Sequence, residues 1–143
     1  MNNLNTILDL QLNTVSLFCI DEEKLIALKS EDYYTQSNLY FWLINKSYKL
    51  EKENKTDELA YCHYLISYYI FIILTPLCYE ELAFTHSFTA TNLSSDIKYK
   101  EWLLVFGTLP NNFMKVYDIL KLAEEVLKIN SESIIANTII EMY

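Results

Sequence analysis

Apolar residues recur through most of this chain at intervals of three and four, the spacing of helices with one buried face. Leu4, Ile7, Leu8, Leu12 and Val15 keep that spacing and predict a first helix over residues 3–19, while the alternation Leu8-Leu10-Leu12 leaves a strand open. Asp21-Glu22-Glu23 then sets acids where a helix N-terminus favours them, ahead of Leu25, Ile26 and Leu28. A longer helix opens at Asp32 or Thr35, runs through Leu39, Leu43, Ser47 and Leu50, and ends near Asn54. Thr56 before Asp57-Glu58 reads as an N-cap for residues 57–74, and Thr75-Pro76 as a cap followed by proline at the first helical position, for a helix to about Leu93. Ser95 caps a stretch from Asp96 to Phe106 that stops at Gly107 and Pro110. Asn112 to Ile129 and residues 132–142, the latter opened by Ser131, complete the chain.

Composition points the same way. There is one glycine, Gly107, and two prolines, Pro76 and Pro110, with no Asn-Gly or Asp-Gly pair. Multi-stranded sheets need tight turns built on such residues, and phosphate-cradling loops need glycines for close backbone approach. The fold expected is all-α: one domain over residues 1–143, six to eight helices in antiparallel hairpins. With 52% hydrophobic residues in 143, the chain can bury a core without staples.

Charge narrows the partners. The net charge of −8, with every basic residue a lysine, argues against nucleic acid, which is bound through phosphate neutralisation and preferentially by arginine. Cys19, Cys62 and Cys78 are too few and odd in number for a disulfide scaffold, and Met1-Asn-Asn-Leu-Asn lacks the positive start of a secretory signal, so the expected location is the cytoplasm. Leu59 to Tyr79 holds no charged residue and is long enough for a membrane span. It contains His63, four interior tyrosines and Pro76 between acidic flanks, and therefore reads as a buried central helix.

Two segments resemble each other. Ala83, Ala90, Leu93 and Ser95 are answered thirty-six residues on by Ile119, Val126, Ile129 and Ser131. Apolar residues seven apart, another three later and a helix-ending residue beyond resemble the second helix of a tetratricopeptide repeat, whose period is about 34. That family carries proline where Ser95 and Ser131 stand, and its first-helix signature is absent here: Trp102 is followed by Leu-Leu-Val-Phe-Gly. What the resemblance implies is architecture, with helix pairs 21–54, 57–94 and 96–130, residues 132–142 as a lid, and protein binding on a concave face. No peptide-binding residue carries over.

Few residues suggest chemistry. His63 and His86 are the only histidines. With Cys62 and Cys78 they converge only if two helices pair antiparallel, and they read as core members, so no metal or cofactor is expected. The acidic pairs, among them Asp57-Glu58, Glu80-Glu81 and Glu124-Glu125, mostly fall at helix starts and read as dipole partners rather than catalytic carboxylates. Lys46, Lys49, Lys52 and Lys55 interleave with Glu51 and Glu53 as a solvated face. Twelve tyrosines are the least routine feature. Most suit cores or rims, but Tyr33-Tyr34 beside Glu31-Asp32 form the best candidate for an exposed acidic and aromatic patch. The function this predicts is not enzymatic. It is binding of a basic protein, as an immunity protein binds a toxin, with a helical-repeat adaptor as the alternative.

Overall fold

A computed structural model describes residues 2–143. Eight α-helices follow one another: α1 Asn2–Leu8, α2 Glu22–Ile26, α3 Tyr33–Lys52, α4 Thr56–Tyr68, α5 Tyr79–Leu93, α6 Ile97–Val105, α7 Val116–Ile129 and α8 Ile134–Met142. Short 3₁₀ turns stand at Leu17–Cys19, Ala27–Ser30 and Phe106–Thr108, and a π-helical segment at Tyr69–Leu74. Among the described residues there is no strand, so the all-α reading holds.

Side-chain contacts give the directions. Cys62 meets the Leu43 carbonyl and the Tyr69 hydroxyl donates to that of Gln36, so α3 and α4 with its π-helical extension run antiparallel. His63 against His86 and Ser67 against Ala83 make α4 and α5 antiparallel as well. Between α4 and α6 the order is parallel. Tyr64 packs on Tyr99, Ser67 on Trp102 and Phe71 on Phe106, each pair thirty-five residues apart. Glu101 with Ser133 and Gly107 with Tyr143 set α8 parallel to α6 in turn. The buried residues of α5, Ala83, Ser87 and Ala90, are matched thirty-six residues on by buried Ile119, Ala123 and Val126 of α7.

One large cluster of buried side chains joins α1 through α5 to Tyr99 and Phe106; a smaller one lies between α6, α7 and α8, and Phe84 packs on both. Ser67 stitches three helices where they meet. Its hydroxyl donates to the Ala83 carbonyl at 2.6 Å and accepts from the Trp102 indole at 2.8 Å. Gly107 serves close approach rather than a special turn: a Cβ there would stand 3.0 Å from an Ile119 methyl and 3.2 Å from one of Ile139. No helix among the described residues is long and apolar enough to cross a membrane. The uncharged stretch from Leu59 to Tyr79 is instead divided among α4, the π-helical segment and a turn, and most of it is buried.

Several boundaries differ from the sequence reading. Residues 3–19 are not one helix. Asp9 adopts φ 53° and the Asn5 side chain accepts from the Leu12 amide at 3.0 Å, so an irregular loop carries Leu12 and Leu17 into the core. Thr56 lies inside α4, not before it, because left-handed Asn54 turns the chain one residue earlier and leaves Lys55 at the N-cap. Thr75-Pro76 does not begin α5. Thr75 and Cys78 are both left-handed, the turn they make leaves Leu77 92% exposed, and the helix starts at Tyr79. Asp96, not Ser95, caps α6 by accepting from the Lys98 amide. Asn112 precedes α7, which starts at Val116, since Phe113 first stacks on Phe84 at 5.2 Å. Ser133, not Ser131, caps α8, held by the Glu101 carboxylate at 2.7 Å.

Candidate protein-binding surface

The tight N-terminus of α3 sets the geometry of the acidic aromatic patch. Asp32 is extended (φ −71°, ψ 166°) and its carboxylate accepts from the Thr35 amide at 2.8 Å. These hydrogen bonds to Thr35 hold the Asp32 carboxyl below its ordinary range, so it stays ionised. Glu31 ends the preceding 3₁₀ turn and is half-buried. Tyr33 and Tyr34 follow in the first turn of α3, 62% and 76% exposed. Tyr34 and Asp32 line a shallow cleft of ≈ 650 Å³ with Asn3, Leu4, Thr35 and Asn38. Glu31 and Tyr33 do not line this cleft, so the four residues share the start of α3 rather than one pocket.

Neither carboxylate is in an ion pair among the described residues, where the pairs are Lys55–Glu53, Lys98–Glu22 and Lys100–Glu125. Residues 1–35 hold six acids against two lysines, half the net charge of −8.

The surface extends beyond the patch. Tyr34, Phe41 and Tyr48 are spaced seven apart along α3 and are 76%, 65% and 60% exposed. Two helical turns separate successive members, so the three rings form one line on the face opposite buried Leu39, Leu43 and Leu50. Sequence reading followed the leucines and missed this line. Its signal was available, because aromatic residues falling off the apolar face of an amphipathic helix must face elsewhere.

Other tyrosines are spent inside. Tyr61 donates to the Ile20 carbonyl at 2.6 Å and Tyr69 to that of Gln36 at 2.7 Å. Burial raises both phenols well above the ordinary value, that of Tyr61 to about 12, so both remain neutral donors. A second concavity of ≈ 370 Å³ opens between α4, α6 and α8, with Tyr64, Trp102, Lys98 and Ile135 in its walls. Lys98 stands 5.0 Å from the Tyr64 ring centroid and pairs with Glu22 at 3.2 Å, bridging α6 to α2.

Cys62, His63, Cys78 and His86 do not converge. Cys62 is buried facing α3, with its thiol pushed up to about 12 by burial, and Cys78 is exposed at the start of α5. The two histidines do meet. Their rings stack with centroids 5.1 Å apart and Nδ1 to Nδ1 at 2.9 Å, so one ring must donate that proton to the other. Burial lowers both, and His86, further opposed by His63, falls to about 4. Among the described residues no three His, Cys, Asp or Glu side chains gather in a metal-binding group.

No family model matches the chain, and no curated protein or solved structure matches it either.

Proposed function

We propose that this chain is a non-catalytic protein-binding domain that sequesters or neutralises a basic protein, acting as an immunity protein does on a toxin. The observation that carries the reading is the corner formed by Glu31, Asp32, Tyr33 and Tyr34. There, two carboxylates that pair with no cation among the described residues stand next in sequence to two rings that are mostly in solvent. Carboxylates attract a basic partner over distance and tyrosine rings anchor it on contact. The three cysteines are thiols, which suits a reducing compartment such as the cytoplasm.

The test is co-purification with the product of a neighbouring gene, followed by binding kinetics at two salt concentrations. Glu31→Lys should slow association and weaken its salt dependence. Tyr33→Ala or Tyr34→Ala should speed dissociation, at a cost of about 1–2 kcal/mol each. Association indifferent to salt would sink the electrostatic mechanism.

A second reading, a helical-repeat adaptor resembling tetratricopeptide proteins, draws support from the parallel stacking of α4 and α6 at a thirty-five-residue offset. Its ligand would lie in the concavity of Tyr64, Lys98 and Trp102. Substitution at Trp102 abolishing partner binding, with Tyr33 and Tyr34 dispensable, would decide for it.

A further inference from the structure

The line of rings on α3 has a symmetry that the acidic corner does not use. Phe41 lies midway between Tyr34 and Tyr48, seven residues from each. Turning the helix end for end about Phe41 therefore lays Tyr34 on the place of Tyr48 and leaves the line unchanged. The charges do not share this symmetry, and they reverse with it. Glu31 and Asp32 stand at the N-terminal end; Lys46, Lys49 and Lys52 stand in the last two turns with Glu51 among them, which leaves that end net positive. None of these six is in an ion pair among the described residues. Lys52 falls on the line of the rings itself and Lys49 flanks it, by the helical period.

We propose that α3 is a self-association surface, and that its occupant is a second copy of this chain crossing antiparallel with the two Phe41 rings at the twofold axis. Antiparallel order sets Glu31 and Asp32 of one copy beside Lys49 and Lys52 of the other at both ends, with Glu51 between those lysines offsetting part of the attraction. Parallel order would set acid against acid and lysine against lysine, so charge selects the direction. A seven-residue line suits such a crossing, because a shallow left-handed pair keeps every seventh residue in the seam. Tyr34 would meet Tyr48 of the second copy, and the rings would bury their exposed faces against one another. α3 has 20 residues, about 30 Å of helix. Six largely exposed rings along it provide a large part of the roughly 1,000 Å² that a specific interface needs. Since this area is at the lower limit for a stable complex, the dimer belongs with weak, transient complexes rather than with obligate assemblies.

This goes beyond the basic-partner reading and does not depend on it, because the test uses the protein alone. The two occupants compete for Glu31 and Tyr34, whereas Phe41 and Tyr48 report on the second copy. Sedimentation velocity on the full chain, from low to high micromolar, should show a monomer–dimer equilibrium that weakens with salt. Phe41→Ser and Tyr48→Ser, both at exposed positions and checked for unchanged circular dichroism, should each weaken it about tenfold or more. The sharper arm is a charge exchange. Glu31→Lys removes the net acid at the N-terminal end of α3, so that neither end is acidic, and Lys49→Glu/Lys52→Glu makes both ends acidic. Each variant alone should be monomeric, and an equimolar mixture should dimerise. A chain monomeric at every concentration overturns the proposal. So does a dimer indifferent to Phe41→Ser and Tyr48→Ser, or a mixture of the charge variants that stays monomeric.

Discussion

Aromatic residues on α3 and on α4 have opposite fates, although both helices place them at helical spacing. On α3, Tyr34, Phe41 and Tyr48 stand in solvent along a face that no other helix covers. On α4 and its π-helical extension, Tyr64, Tyr68 and Phe71 are covered by Trp102, Tyr99 and Phe106 of the helix thirty-five residues on. The difference is position in the stack. α4 lies between α3, α5 and α6, so several of its faces find partners, whereas α3 is an edge helix that packs its leucine face with flanking Tyr40, Trp42 and Ile44 and leaves the opposite face in solvent. An edge helix keeping large rings on its free face leaves apolar surface that burial against a partner would stabilise. That contrast is the physical ground for seeking function on α3 and structure on α4.

The largest expected effect tests the contrast directly. Phe106 is buried at the meeting of Phe71, Phe84 and Trp102, and Phe106→Ala should cost about 3–5 kcal/mol in urea unfolding through the cavity it leaves. Phe41→Ala, removing the same ring from the edge, should change monomer stability by no more than about 0.5 kcal/mol. Comparable losses at the two positions would mean that α3 is covered after all.

A smaller effect separates interior from edge by pH. The His63–His86 pair is neutral in the folded protein, with His86 lowered from 6.5 to about 4 by burial and by His63. The unfolded chain therefore binds protons that the folded chain refuses, and stability must fall as pH falls below about 6.5. The loss should level off below about 4, where His86 also protonates when folded, after up to about 3 kcal/mol. Urea midpoints measured across this range should fall with pH in the natural chain and stay flat in His63→Leu/His86→Leu. A flat profile in the natural chain would mean that the pair accepts protons freely.

How much of this was legible depended on whether a feature was local. Asp21 and Asp32 each cap the helix that follows them, with only neighbouring amides involved; α2 starts where the sequence placed it, and α3 at the first of the two starts, Asp32 and Thr35, that the sequence left open. The exposure of Tyr33 and Tyr34 was legible because neither falls on the leucine face of α3. Features decided by distant partners were not. The loop after α1 depends on the Asn5 side chain choosing the Leu12 amide. The turn at Thr75–Cys78 follows a π-helical segment in which the Thr75 amide reaches back to the Ile70 carbonyl at 2.9 Å, and no periodicity announces that. The late start of α7 rests on Phe113 finding Phe84, twenty-nine residues away. The inter-helix histidine pair belongs to this class as well, for its 2.9 Å contact exists only because α4 and α5 are antiparallel and in register.

The smallest expected effect lies at Asp32, where the edge region's structural role and its proposed binding role coincide and have to be pulled apart. Its carboxylate caps α3 through Thr35, and it is also one of the two charges assigned to a basic partner. Asparagine caps as well as aspartate does, because its side-chain oxygen accepts the same amide, but it carries no charge. Asp32→Asn should therefore leave the unfolding midpoint near neutral pH almost unchanged, whereas Asp32→Ala should lower it. In acid the two chains diverge. The folded Asp32 is held below its ordinary value of 3.8, so the stability its charge contributes is present above that value and is lost as pH falls through the depressed one. Asp32→Asn should lack this part of the acid transition, at lower pH than the histidine limb. If a basic partner docks here, Asp32→Asn should also slow association without changing helix content by circular dichroism. A variant as stable as the natural chain and equally fast with the partner would leave Asp32 as a cap only, and the electrostatic part of the surface would then rest on Glu31 alone.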